Sequence, residues 1–364
     1  MASIWNNRLA VSIFGEAKGP AIGITIDNLP AGEYIDTEQL REFLSRYQEF
    51  SDNFNKNNHS QDFHQIMSGI LNGRTTGSPL CAFIQNTEQS GNDISQINRL
   101  PRPGQADYTG TLRYRGFNDI RDGGHLGTAM TAPLCFAGAV CGQILERRGI
   151  YTGAHIQEIH GIKDQNFSHT DVTKDDILSV RHKKFPVIKN AIGKKMQEDL
   201  QAAAEGGETL GGAIECASVN VPAGIGSPVF NGLENTIAQL LFALPDVRGL
   251  EFGAGFQVTE MTGSQCNDNF YIDDHAHIKT SSNTHGGILG GISSGMPIIL
   301  RVAFRPSANI AKPQKTVNLS SMQTESLRTE SGNQTCLLPK LVPCVESAVN
   351  IALLSHMLDY PHFC

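Results

Sequence analysis

The chain has 364 residues, enough for two or three average domains or one large one, and its 40% hydrophobic and 18% charged residues place it among globular rather than disordered proteins. Its 29 basic against 36 acidic residues give a net charge of −7, which argues against sequence-independent binding of nucleic acid or of an anionic membrane surface.

The first nineteen residues lack the basic start, apolar stretch and cleavage site of a secretory signal. No uninterrupted apolar run reaches the ~18–20 residues that span a bilayer. A soluble, cytoplasmic protein is expected. Its eight cysteines (81, 135, 141, 216, 266, 336, 344 and 364) are dispersed, with no C-x-x-C pair and no histidine at ligand spacing. Reduced thiols and no metal are expected.

In chain order, Ile22, Ile24 and Ile26 alternate with small or polar residues and predict a half-buried strand, followed by a turn at 28–32. Asp36 is placed to cap a helix with Leu40, Phe43, Leu44 and Tyr47 on one face. The polar stretch 49–61 reads as a long loop, and the glycine-broken apolar runs from 66 to 86 read as strands. Pro133 opens a buried helix with Leu134, Ala137, Val140, Cys141, Ile144 and Leu145, which Gly149 ends. A second helix is predicted over 185–203 with Val187, Ile188, Ala191, Ile192 and Leu200 inward, stopped by Gly206 and Gly207. A third carries Phe230, Leu233, Ile237, Leu240 and Leu241. Residues 212–220 and 298–304 read as strands, and 341–359 as a closing amphipathic helix with Val345, Val349, Ala352 and Leu353 inward. There is no repeat and no linker, and strands and helices mix without a βαβ rhythm. A single domain over 1–364, α+β with mainly antiparallel sheets, is expected.

Seven segments carry a family resemblance: FGEAKGPAIGITIDNLPAG at 14–32, RTTGSPL at 74–80, RPGQADYT at 102–109, GGHLGTAMTAPLCFAGAVC at 123–141, GLEFGAGF at 249–256, GGILGGISSGMPI at 286–298 and FRPSANIAKPQKTV at 304–317. Together they resemble chorismate synthase over essentially the whole chain. The resemblance implies two antiparallel sheets between layers of helices, a homo-oligomer assembled as a tetramer, and reduced FMN as cofactor. It also implies an anionic small-molecule ligand, since the family removes phosphate and a ring proton from 5-enolpyruvylshikimate 3-phosphate to give chorismate.

Carried over by motif, the family's catalytic positions fall on Lys18, Gln105 and Gln334. Cofactor contacts fall on His125, Leu126, Gly127, Gly290, Arg305, Pro306, Ser307, Ala308 and Asn309, and substrate contacts on Arg46, Tyr47, Asn58 and Ala129. Several of these depart from the family. G-E-S-H-G is read with Lys18 in place of histidine, R-P-G-H-A-D-Y-T has Gln105 in place of histidine, and G-R-H-D-P-C becomes Ser331-Gly332-Asn333-Gln334-Thr335-Cys336. Arginines are replaced at Tyr47, Asn58, Ala129 and Gly332, and a serine at Gly127. An amide such as Gln105 does not titrate and so cannot act as acid or base.

Each residue also has a plainer structural reading. Lys18 would pair with Glu16 at the surface, Asp107 and Arg121 with neighbours, and His59, His64, His125 and His285 would pack. Arg305 would end a strand, and the glycines at 286–295 would make a tight turn. Three functions follow: a diverged paralogue that has lost or changed the family reaction, which the clustered substitutions place first; a working synthase with an unusual site; or a non-catalytic binding or assembly subunit.

Overall fold

The computed structural model describes residues 3–48, 65–86, 99–328 and 335–360. The polar loop at 49–61 and the positions Asn58, His59, His64 and Gln334 lie outside the described residues.

Strands β1 (Ile4–Asn6), β2 (Ala10–Gly15) and β3 (Ala21–Asp27) build an antiparallel sheet with β4 (Gln65–Ser68) and β7 (Leu80–Gln85), in the order β1-β2-β3-β7-β4. A short hairpin, β5 (Ile70–Leu71) and β6 (Arg74–Thr75), interrupts the run between β4 and β7. In β7 the buried residues alternate as the pleat dictates, Leu80, Ala82 and Ile84 facing the core. A second antiparallel sheet has the order β11-β16-β10-β8-β9, with β8 (Tyr151–Ile159), β9 (Ile162–Lys163), β10 (Gly212–Val219), β11 (Val247–Phe252) and β16 (Ile298–Phe304). Three small ladders complete the strands: β12 (Phe270–Ile272) with β13 (Ile278–Thr280), β14 (Ile288–Leu289) with β15 (Ile292–Ser293), and β17 (Gln314–Asn318) with β18 (Gln323–Leu327). Every pairing is antiparallel, as the α+β reading requires.

Among the described residues the α-helices are α1 (Thr37–Gln48), α2 (Asp107–Tyr114), α3 (Thr131–Glu146), α4 (Lys174–Arg181), α5 (Asn190–Glu205), α6 (Leu233–Phe242), the single turn α7 (Gly263–Cys266) and α8 (Leu338–Asp359). Asp36 caps α1 as expected, its carboxylate accepting the backbone N–H groups of Glu38 and Gln39. Helices α3 and α8 pack side by side between the two sheets, α3 reaching the first and α8 the second. Their approach is set by Gly138: a β-carbon there would lie 2.0 Å from Ser347 Cβ, so only glycine lets the backbones come this close. The outer face of the second sheet is covered by α4 and the segments flanking it.

Three expectations are corrected. The helix predicted from 185 starts at Asn190. Pro186 holds the preceding segment out of helical geometry, and its carbonyl accepts the Ile156 N–H of β8, so Val187 is buried without being helical. Phe230 precedes α6 and is 92% exposed. Helix α8 is not amphipathic: residues 338–357 are all buried. It and the segment Arg121–Glu146 are long and apolar enough to cross a membrane, yet their windows are 94% and 89% buried inside the protein. Most polar groups of α8 find partners within the core, His356 Nδ1 being buried without one. Ser355 Oγ accepts the Leu9 N–H, Asn350 donates to the Gly138 carbonyl, and His356 Nε2 meets the Thr236 hydroxyl at 2.7 Å.

Candidate functional site

The segment 119–127 is the centre of the site. Asp122, Gly123 and Gly124 all take positive φ, which folds the chain tightly enough to aim side chains in two directions. The loop docks on the β2–β3 connection. Gly124 O accepts the Ala17 N–H at 3.2 Å, and His125 bridges Gly15 O through Nδ1 and Ser3 Oγ through Nε2, each at 2.7 Å. Both ring nitrogens of His125 are therefore engaged by the fold.

Lys18, on that connection, turns to the loop and not to Glu16: its Nζ lies 3.1 Å from Asp122 Oδ2. Arg121 donates to both oxygens of Asp119 and, at 3.4 Å, to the Lys18 carbonyl. These hydrogen bonds hold the Asp119 carboxyl below its ordinary range and raise the Arg121 guanidinium above its own.

Helix α2 connects this loop to a second cluster. Its Gly110 sits against Leu126, where a β-carbon would be 3.1 Å from Leu126 Cδ1. At its start, Asp107 receives the Arg102 backbone N–H, Nε and Nη2 at 2.7–2.9 Å, a bidentate pair that raises the Arg102 guanidinium. Gln105 donates to Asn309 Oδ1 at 3.3 Å. Gly104 lies so close to the 305–308 segment that a β-carbon would be 2.9 Å from Arg305 Nη1 and 3.0 Å from Ala308 Cβ. Arg305 pairs with Asp246, Ser307 O accepts the Thr209 hydroxyl, and Ser307 Oγ faces the Asn309 N–H at 3.4 Å.

The structure thus places Lys18 with His125, Leu126 and Gly127 in one cluster and Gln105 with residues 305–309 in a second, joined through α2. The other described candidates make contacts of their own outside these two clusters. Arg46 makes a bidentate pair with Glu346 of α8, at 2.7 and 2.8 Å, and Glu346 also accepts the Ala154 N–H of β8. Tyr47 is buried beside Thr131, whose hydroxyl is 3.0 Å from the phenol oxygen, and the ammonium of Lys340 stands 4.7 Å from its ring centre. Burial pushes the Tyr47 phenol well above its usual range. Ala129 packs against the core from a 3-10 turn, and Gly290 turns the β14–β15 hairpin with φ 62°.

Sequence reasoning did not find Asp122, Asp119, Asp246, Glu346 and Lys340, the counter-ions and cations that set the charge of these clusters. Lys340 had a visible signal, a lone cation in an apolar run. Asp122 had one too, since an acid directly before two glycines marks a turn.

The donors at 305–309 fit a flavin phosphate. Arg305 Nε is buried without a hydrogen-bond partner, and the Ser307 hydroxyl stands on the same segment. A cation with an unspent donor beside a hydroxyl is the chemistry a phosphate monoester needs.

Residues 9–358 match the family model described as chorismate synthase. Proteins named chorismate synthase are similar along their lengths. That of Thermococcus kodakarensis is 35% identical over 350 residues, 96% of each chain; that of Korarchaeum cryptofilum 36% over 356, 98% of this chain and 97% of the relative; that of Dehalococcoides mccartyi strain 195 38% over 352, 94% and 93%. A solved structure titled "Crystal Structure of Chorismate Synthase" superposes with a TM-score of 0.77 at 24% identity, over 97% of this chain and 93% of that one, a likeness of fold.

Proposed function

The chain belongs to the chorismate synthase family, and from that membership we propose a paralogue that keeps the scaffold and a flavin-phosphate cradle but has lost or changed the family reaction. The observation that carries this reading is the state of the site's cations. Lys18 is held by Asp122, Arg102 by Asp107 and Arg121 by Asp119. The family substrate bears a phosphate and two carboxylates, and binding it requires cations whose charge is not already answered. Hydrogen bonds to charged groups contribute about 1.5–3 kcal/mol each, so four replaced arginines forfeit on the order of 6–12 kcal/mol before non-additivity. A micromolar ligand has only about 8 kcal/mol of binding free energy.

Proton transfer is impaired separately. Gln105 has an amide that neither gives nor takes a proton and is engaged with Asn309. Lys18 is engaged in an ion pair with Asp122 and does not supply the imidazole of the family position. Arg305 Nε and Ser307 Oγ would hold the phosphate of FMN, with His125, Leu126 and Gly127 at the ring. When bound in reduced form, FMN supplies a transient electron with no net redox change. The site so arranged suits a ligand less anionic than the family substrate.

A working synthase is the second reading, favoured by 35–38% identity with named synthases over nearly the whole chain. One experiment separates the two: expression in an aromatic-auxotrophic strain lacking its own synthase, with an anaerobic assay using reduced FMN. Absence of growth and of chorismate above the no-enzyme control supports the diverged reading; rescue overturns it.

Association into a homotetramer is part of the proposal. It is supported by the β12–β13 hairpin, where Phe270, Ile272 and Ile278 are each more than two-thirds exposed. Sedimentation at micromolar concentration tests it.

A further inference from the structure

The second sheet carries a row of charges that the site does not use. Register pairs Glu251 of β11 with Arg301 of β16, Arg301 with Glu215 of β10, and Glu215 with His155 of β8. Adjacent partners point to the same face, so the row alternates in sign from edge to edge, provided the imidazole is charged. Arg301 Nη2 meets Glu251 at 2.7 Å and His155 Nε2 meets Glu215 Oε2 at 2.9 Å. Beyond the ring the row ends on Asp164, whose Oδ2 is 3.5 Å from His155 Nδ1; the Ile156 carbonyl is 3.2 Å from the same nitrogen. His155 is fully buried, and Glu215 and Asp164 nearly so.

Acceptors therefore face both ring nitrogens. A neutral imidazole has one N–H and would set a lone pair against a carboxylate or a carbonyl; only the imidazolium satisfies both sides. Burial alone works against the charged ring, but the hydrogen bonds to Asp164 and Glu215 outweigh it. Other charged groups nearby have their own partners. Glu346, on the opposite face, is held by Arg46, Arg181 of α4 by Glu146, and Lys163 of β9 faces Glu158. His169 Nε2 is 3.9 Å from Glu215 Oε1 and adds a weaker contact to the same carboxylate.

Both carboxylates beside the ring hold the covering segment. Glu215 accepts the Phe167 N–H at 2.7 Å, and the Phe167 ring stands edge-on to the imidazole with centroids 4.7 Å apart. Asp164 accepts the backbone N–H groups of Ile188 and Lys189 at the entry to α5. Between these ties, Phe167, Val172, Ile177 and Val180 pack on Ala217, Val219 and Ile299 of the sheet. One ring thus joins the beginning and the end of the cover.

We infer that His155 is a standing imidazolium that clips residues 164–189 onto the outer face of the second sheet, and that the clip opens when the ring loses its proton. The sign follows from linkage: a proton bound more tightly in the folded state stabilises it fully below the ordinary histidine range, and that contribution declines above this range and is lost as the pH rises through the folded value. The release is local, because α3 and α8 on the other face do not depend on the ring.

The test uses the full chain labelled with 15N-histidine. At pH 7.5 the 15N shifts should show both His155 ring nitrogens protonated. Hydrogen exchange of peptides covering 164–189, corrected for intrinsic rates, should rise at least tenfold as the ring titrates at higher pH, with α3 and α8 unchanged. Glu215→Gln should move both events at least one pH unit lower. His155→Gln should abolish the titrating step in exchange; if it does not fold, the unmutated chain and Glu215→Gln carry the test. An unprotonated ring nitrogen at pH 7.5, or exchange in 164–189 that follows the rest of the protein, overturns the inference.

Discussion

Lys18 and Asp122 form an ion pair of 3.1 Å across the junction between the β2–β3 connection and the 119–127 loop, with the lysine side chain 20% exposed. The residue at a family histidine position is thereby committed to a carboxylate of its own chain. Replacing Lys18 and Gln105 with histidine should not restore chorismate formation, because the anion-binding arginines remain absent. Growth of the auxotroph on the Lys18→His, Gln105→His double variant is the measurement, and no rescue is the expected outcome.

On the proposed reading, flavin binding rests on Arg305 and Ser307. Anaerobic titration followed by the flavin spectrum should show reduced FMN binding more weakly than to a relative with the family's full arginine set. Arg305→Ala should weaken it further by about tenfold, or about 1.4 kcal/mol.

Arg46→Ala should destabilise the protein by about 3–5 kcal/mol, because it strands Glu346, which is fully buried between α1, α8 and β8. Urea unfolding measures the loss. A substrate role alone would leave the unfolding midpoint unmoved.

Gly138→Val should cost at least about 1–3 kcal/mol, since its side chain would enter the space of Ser347 where α3 meets α8. Ala at 138 should be harmful in the same direction. Thermal unfolding of both variants checks the order.

The Asp119–Arg121 pair sets an acid limit on the loop. Hydrogen bonding to Arg121 lowers the Asp119 pKa, so its contribution is complete above the ordinary carboxylate range and disappears as the pH falls through the depressed value. Loss of loop order on acidification, followed by NMR of His125, should therefore be confined to pH below the ordinary carboxylate range. In Asp119→Asn the loop should be less ordered at neutral pH.

The sequence was informative where local pattern and tertiary environment agree. The alternation at Ile22, Ile24 and Ile26 is the buried face of β3, and the apolar period after Pro133 lies within α3. It misled where packing overrode pattern. Residues 341–359 read as amphipathic because Glu346, Asn350 and Ser355 look like a wet face, yet their partners on α1, α3 and the segment before β2 lie far off in sequence. Family motifs located Lys18, Gln105, His125 and Arg305, but not the acids that neutralise the cations among them. Those pairings arise from a left-handed turn and a strand end, geometry that residue order alone does not express.

The pairing of α3 with α8 also sets the order of events as the chain is made. Cys135 and Cys344 touch across the two helices at 3.4 Å although 209 residues separate them. Until those residues have been synthesised, α3 has no partner for the face that α8 covers, and its segment has the length and apolarity of a membrane helix. Contacts of such separation fold slowly, and the exposed helix is a site for aggregation in the interval. The nascent protein should therefore need a chaperone that shields apolar helices, and ribosome-bound chains ending before α8 should be captured by one while completed chains are released.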